Sequence, residues 1–313
     1  MNKTKDLYKN QKDHKTRRIL GFTIKVTVSS VLLYIFLSTV DLTAVVMTLK
    51  QTRIHFVIMG VLLYILSILV GAKRWSLFLP KGLSYFRLLS LTFIGSFFNT
   101  FLPGIVGGDA VKTYYLYRYT GKGGISLAAV FMDRYMGLSA MACIAFIALI
   151  GGYPYIRGTG IALLMFIFLG ALVIGSLILW KVNWGRLQFL NAFYTPLMNF
   201  KRIKETIYKG FLLGFAGQLI SITCVYVLSH AIGLKVPAVY FFMFLPIING
   251  ASSVPVSIAG LGIREAGFVI LFSKIGLTQA EAISLSILVF TTICLTNLVG
   301  GIEYLRAGKP PKL

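Results

Sequence analysis

Two glycine-rich segments, each ending in a cation, are the parts of this sequence whose residue types best suit binding chemistry. The first reads Pro-Gly-Ile-Val-Gly-Gly-Asp-Ala-Val-Lys from Pro103 to Lys112, and the second reads Pro-Val-Ser-Ile-Ala-Gly-Leu-Gly-Ile-Arg from Pro255 to Arg264. Glycine permits a helix to stop and restart, and a restarting helix presents free backbone N–H groups and a positive dipole end. We expect the two segments to face each other or a shared cavity and together to form one site for a phosphate or another anionic headgroup.

The two cations have a second interpretation. Lys112 and Arg264 lie within one turn of the predicted restarts, where they would complete an anion site. Alternatively, they reach the membrane interface, and the neighbouring glycines only allow helices to pack closely.

The acidic residues are informative because the chain contains only nine of them. Asp133 and Arg134 lie about two turns into an apolar run, where an unpaired charge is costly. Adjacent side chains point about 100° apart on a helix, so we expect each to pair with another element: Lys112 for Asp133, and Asp109 or Glu265 for Arg134. Asp109 is also a candidate helix cap. The network would couple to protons or contact a headgroup; the alternative is a static network of buried ion pairs.

The elements that must position these residues are membrane helices. Of the 313 residues, 57% are hydrophobic and 13% are charged, whereas a soluble domain carries about 25% charged residues. The mean hydropathy is +0.82. The fold class is therefore all-α and polytopic, with full spans predicted at residues 19–40, 54–72, 125–150, 161–180, 211–232 and 282–304.

Two further apolar runs, residues 88–102 and 238–248, are shorter than the roughly 20 residues that cross a bilayer. Each precedes one of the glycine-rich segments, and those segments match position by position. We predict two re-entrant hairpins and an inverted repeat of residues 19–152 and 159–305 within one transmembrane domain, residues 19–305. Eight full spans are the alternative.

The positive charges orient this arrangement. Basic residues concentrate in the tails 1–18 and 306–313 and in the segments 73–87 and 181–209, which predicts a multi-pass protein of the cytoplasmic (inner) membrane with both termini in the cytoplasm. The net charge of +22 is divided among these segments, so anionic lipid headgroups are the expected partner and nucleic acid is not.

The scattered cysteines and histidines predict neither a disulfide framework nor a metal centre. No cofactor is expected. A set of nucleophile, base and acid is not visible in the sequence, and we do not expect an enzyme.

With both segments identified, the chain resembles a known family. The stretch from Asn99 to Asp109, with Lys112, looks like its first signature, and the stretch from Ser253 to Glu265 looks like its second. The family is the flippase-like membrane domain at the N-terminus of lysylphosphatidylglycerol synthase, the multiple peptide resistance factor. The resemblance covers about residues 19–305. It implies that the site is formed by Pro103, Gly107, Gly108, Asp109, Gly260, Gly262, Arg264 and Glu265.

In two-part relatives this domain is associated with moving an aminoacylated phospholipid, which a separate soluble domain makes. The chain ends soon after its last predicted span, so we expect a stand-alone member without lysyl transferase activity. The expected function is a flippase for a phospholipid or polyprenyl-linked lipid, passive or ion-coupled because no ATP-binding motif is present. The alternatives are a lipid-modifying enzyme, or a scaffold whose partner is a lipid synthase or glycosyltransferase.

Overall fold

The computed structural model describes residues 42–79, 82–101, 106–158, 160–181, 204–252 and 262–307. Across these residues the chain is helical, without strands, as the composition predicts. Outside the described residues lie the basic tail 1–18, the predicted first span 19–40, residues 182–203 of the basic segment 181–209, residues 308–313, and Pro103, Pro255 and Gly260.

The helices follow one another in a simple order. They are α1 (Leu42–Lys50), α2 (Ile54–Ser76), α3 (Tyr85–Phe101), α4 (Val106–Thr120), α5 (Gly123–Ile156), α6 (Ile161–Lys181), α7 (Lys204–Ala231), α8 (Ala238–Ser252), α9 (Ile263–Phe272) and α10 (Gln279–Ala307), with a 3₁₀ turn, Ser273–Ile275, after α9.

Among the described residues, four helices are long and apolar enough to cross a membrane: α2, α5 to Pro154, α7 and α10. They coincide with four of the predicted spans. Helix α6 contains a shorter apolar stretch, Met165–Ile178. The described residues therefore agree with a multi-pass protein.

Two pairs of shorter helices follow the predicted short runs. Helix α3 has 17 residues and α4 has 15, while α8 has 15 and α9 has 10. Within each pair the two helices pack against each other. In each pair the second helix begins within the glycine-rich segment, α4 at Val106 and α9 at Ile263, as the sequence predicts.

The core consists of two apolar clusters, and each cluster contains one of these helix pairs. The larger cluster joins α8 and α9 to α5, α7 and α10. The smaller cluster joins α3 and α4 to the end of α2 and the first half of α5. Helix α2 packs along α7, and α10 packs along α3. These contacts bring the ends of α3 and α8 towards a common region.

Glycine sets the closest of these approaches. A Cβ atom on Gly108 would lie 1.9 Å from the carbonyl oxygen of Gly95, and one on Gly300 would lie 2.0 Å from that of Phe93. Helix α3 is therefore held on two sides by backbones that only glycine allows to approach so closely.

Candidate functional site

A polar cavity of about 320 Å³ lies where α3, α8 and α9 meet α2, α5 and α10. Asn99 and Thr100 contribute from the end of α3, and Asn249 and Ser252 from the end of α8. Arg264 contributes from the start of α9. Residues flanking both glycine-rich segments therefore line one cavity, which we call the polar cavity.

Two arginines line the polar cavity. Arg264 lies in the first turn of α9, with its guanidinium carbon 5.7 Å from the centre of the Phe290 ring. Arg134 enters from α5. A guanidinium presents several donors in a planar fork that matches the oxygens of a carboxylate or phosphate. The cavity can therefore hold an anionic group.

The cavity wall also contains buried polar atoms without a partner among the described residues. Asn297 is 1% exposed, and its amide nitrogen donates to the Thr100 hydroxyl over 2.8 Å. Within the part of the chain that the structure describes, the Asn297 Oδ1 and the Ser252 hydroxyl form no hydrogen bond. Buried polar atoms in proteins are nearly always satisfied, so these two indicate room for water or a polar ligand.

The pairing expected for Arg134 is confirmed with Asp109 and not with Glu265. Arg134 donates from Nε to Asp109 Oδ2 over 2.7 Å and from Nη2 to Oδ1 over 3.0 Å. Asp109 lies inside the first turn of α4, not at the position before the helix. Its carboxylate therefore ties α4 to α5 beside the polar cavity.

Glu265 has a different task, at the start of α9. Its Oε2 accepts a hydrogen bond from the backbone N–H of Gly262 over 2.6 Å, and its Oε1 accepts one from the Ser286 hydroxyl over 3.3 Å. Gly262 has a φ of +84°, which favours glycine. A glutamate three residues after the cap is a common helix-start pattern, and that spacing was visible in the sequence.

Asn99 performs the corresponding task at the first pair. Its Oδ1 accepts a hydrogen bond from the backbone N–H of Gly108 over 2.9 Å. This satisfies one of the free N–H groups in the first turn of α4. Gly107 is adjacent and half-buried. The start of α4 is thus partly occupied by the protein's own side chain.

Lys112 does not line the polar cavity. It is 7% exposed, its Nζ lies 3.8 Å from Asp133 Oδ2, and it sits 4.1 Å from the centre of the Trp75 ring. The pairing of Lys112 with Asp133 was predicted and is confirmed. Lys112 was also expected beside Arg264 as a second cation of one anion site, but the structure does not bring these two residues together.

Sequence reasoning missed the closest partner of Asp133. Arg74, near the end of α2, donates from Nε to Asp133 Oδ1 over 2.7 Å. Gly137, one turn after Asp133, leaves room for it, because a Cβ there would lie 2.9 Å from Arg74 Nη1. The position of Gly137, four residues after Asp133, was the sequence feature that could have indicated this pairing.

Comparison with known proteins identifies the family of the chain. The model of the family described as "Lysylphosphatidylglycerol synthase TM region" matches residues 22–301. The chain belongs to that family. The resemblance read from the two motifs is thereby confirmed.

One relative of this family member is the UPF0104 membrane protein PH1989 of Pyrococcus horikoshii, which is 33% identical over 92 residues. The match covers 28% of this chain and 28% of the relative. The family match and the four long apolar helices together make this a multi-pass membrane protein of a lipid-related family.

Proposed function

We propose that this family member is a lipid flippase of the cytoplasmic membrane, and that the polar cavity binds the anionic headgroup of its cargo. The observation that carries the proposal is that Arg134 and Arg264 line the same cavity as Asn99 and Ser252. A lipid headgroup crossing a bilayer needs such a polar, charged environment at membrane depth.

The packing of the described helices supports an inverted repeat. We pair α2 with α7, α3 with α8, α4 with α9 and α5 with α10. If each helix is replaced by the other member of its pair, the contact between α3 and α10 becomes a contact between α8 and α5. The contact between α5 and α7 becomes a contact between α10 and α2. All four of these contacts are present. The contacts of α4 with α5 and of α2 with α3 likewise become those of α9 with α10 and of α7 with α8. Two similar halves produce this correspondence, which is common in transporters.

The cavity also supports re-entrant hairpins. If the pair α3–α4 returns to the side of the membrane from which it enters, the chain then crosses the membrane three times, in α5, α6 and α7, before α8 begins. Helices α3 and α8 would then enter from opposite sides, yet residues near their final turns line one cavity. Two helices that each crossed the whole bilayer would end about 30 Å apart. Helices that stop part-way fit better.

The cargo follows from the cavity's charge. Two guanidinium groups and several amides and hydroxyls suit a phosphate, so a phospholipid or a polyprenyl-linked phosphate lipid is proposed. With both termini in the cytoplasm, the pair α3–α4 opens from the cytoplasmic side. Transport proceeds by alternating exposure of the polar cavity and is passive or ion-coupled.

Lipids retained on purification test the binding step. The measurement is mass spectrometry of lipids that remain with the detergent-purified wild type, Arg264→Gln and Lys209→Gln. Lys209 is exposed and pairs with Glu205 outside the cavity, so it serves as the control. We expect one anionic class to be enriched over the bulk membrane in wild type and control, and lost in Arg264→Gln. Bulk-like lipids in all three samples would remove the support for a headgroup site.

A further inference from the structure

An apolar groove of about 580 Å³ runs between α4 and α5. We call it the lateral groove. Its α4 side includes Asp109, Thr113 and Tyr117, and its α5 side includes Leu127 and Arg134. The three α4 positions are four residues apart and the two α5 positions are seven apart, so each set lies on one face of its helix. The groove therefore follows both helices from the connection between them to the Arg134–Asp109 pair.

Arg134 lines both spaces. It belongs to the wall of the polar cavity and to that of the lateral groove. Its side chain is 47% exposed, whereas that of Asp109 is 18% exposed. A ligand with a charged end and an apolar end could therefore contact Arg134 with the first and fill the groove with the second.

The dimensions of the two spaces suit different parts of one lipid. Small-ligand sites enclose about 300–1,000 Å³, so the polar cavity, at about 320 Å³, is at the lower limit and fits a headgroup only. From Asp109 to Tyr117 a helix rises about 12 Å, and from Gly123 to Arg134 about 17 Å. One leaflet of the hydrocarbon core measures roughly 15 Å. The groove is thus about one leaflet long.

We propose that the lateral groove holds one hydrocarbon chain of the lipid whose headgroup lies at Arg134. The chain then points from the polar cavity towards the α4–α5 connection. A lipid resident in the leaflet beside that connection points the other way, with its headgroup at the connection. The groove therefore selects a lipid that has turned over relative to that leaflet. This inference rests on the proposed function, because it takes the occupant of the cavity to be a lipid headgroup.

The test uses phosphatidylglycerol that carries a photoactivatable diazirine either near the carbonyl or near the end of one acyl chain. Wild-type protein in vesicles containing each probe is irradiated, and the labelled residues are mapped by mass spectrometry. We expect the carbonyl-proximal probe to label near Ala110 and Val130, and the chain-end probe to label near Tyr117 and Leu127. Saturation by unlabelled phosphatidylglycerol is expected at both places.

Two variants distinguish groove binding from general lipid contact. Ala110 is an exposed residue of the groove wall, so Ala110→Phe should fill the groove and reduce labelling several-fold. Ala171→Phe makes the same change in a neighbouring groove between α5 and α6, which has a volume of about 510 Å³ and shares only Phe131 with the lateral groove, and it should leave labelling unchanged. Leu127→Trp is a second groove-filling variant, and elution from size exclusion checks that each variant is folded.

The opposite order of the two probes along the groove would overturn the inference, because it is the order of ordinary lipid in that leaflet. Labelling that is as strong in Ala110→Phe and Leu127→Trp as in wild type would also overturn the inference. Flipping of a fluorescent lipid is measured on the same preparations. Flipping without groove labelling contradicts this inference alone, whereas groove labelling without flipping contradicts the proposed transport alone.

Discussion

Arg134 and Asp109 form a two-bond ion pair, with Nε 2.7 Å from Oδ2 and Nη2 3.0 Å from Oδ1, between the helix after the first glycine-rich segment and the long helix α5. The arginine is about half exposed and lines the polar cavity. An incoming phosphate would therefore compete with the Asp109 carboxylate for the same guanidinium. The pair is suited to exchange its internal anion for that of a ligand.

The first prediction concerns this competition. Asp109→Asn removes the internal anion and leaves the Arg134 guanidinium without a carboxylate, so retention of anionic lipid should rise several-fold. Arg134→Gln should lower retention, because a charge-assisted hydrogen bond is lost. Quantitative lipid extraction from purified protein measures both. Equal retention in the two variants would mean that Arg134 does not contact the headgroup.

The second prediction concerns the buried cluster around Asp133. Asp133→Ala leaves the buried Lys112 and the largely buried Arg74 without their shared carboxylate, so we expect a loss of about 3–5 kcal/mol in the free energy of unfolding. The measurement is unfolding by a graded denaturing detergent. Glu205→Ala removes an exposed carboxylate that pairs with Lys209 and should cause no measurable loss. A free energy of unfolding that is the same in Asp133→Ala as in wild type would contradict this prediction and indicate that the cluster is hydrated.

The third prediction concerns the contact between α3 and α4. Gly108→Ala places a Cβ 1.9 Å from the Gly95 carbonyl oxygen, and a backbone atom cannot move aside as a side chain can. We expect a loss of about 1–3 kcal/mol. Gly71→Ala is the matched control, since its Cβ would meet nothing within 4 Å. Thermal aggregation in detergent compares them, and equal midpoints would refute the close approach.

Much of this arrangement could be predicted from the sequence. Apolar length gives the four long helices, and the position of Pro103 and Gly108 after a short apolar run gives the break between α3 and α4. The pairings of Asp133 with Lys112 and of Arg134 with Asp109 were predictable because a charge in an apolar helix needs a partner.

The wall of the polar cavity was less accessible to prediction. Asn249 and Asn297 lie in apolar runs far apart in the chain, and only the packing of α8 and α10 brings them into one cavity. Lys112 was assigned to the anion site from its spacing to the glycines. Its burial against Trp75 depends on the way α2 and α4 each pack against α3 and α5, which no local pattern specifies.

The fourth prediction concerns topology. Lys122→Cys, in the α4–α5 connection, and Thr278→Cys, before α10, are made in a chain lacking Cys143, Cys224 and Cys294. An inverted repeat places the two new thiols on opposite sides of the membrane. Labelling of oriented vesicles by a membrane-impermeant maleimide, before and after permeabilisation, measures the side. Reaction of both thiols from one side would contradict the inverted repeat.

The most direct test of the account is lipid flipping in reconstituted vesicles. Fluorescent phosphatidylglycerol is incorporated symmetrically, and dithionite quenching then reports the fraction that reaches the outer leaflet. Arg264→Gln changes the polar cavity, while Arg306→Gln changes an exposed arginine in the last turn of α10 that pairs with Glu303. We expect wild type and Arg306→Gln to increase the quenched fraction beyond that of protein-free vesicles, and Arg264→Gln not to do so. A quenched fraction equal to that of protein-free vesicles in wild type, or full activity in Arg264→Gln, would contradict it.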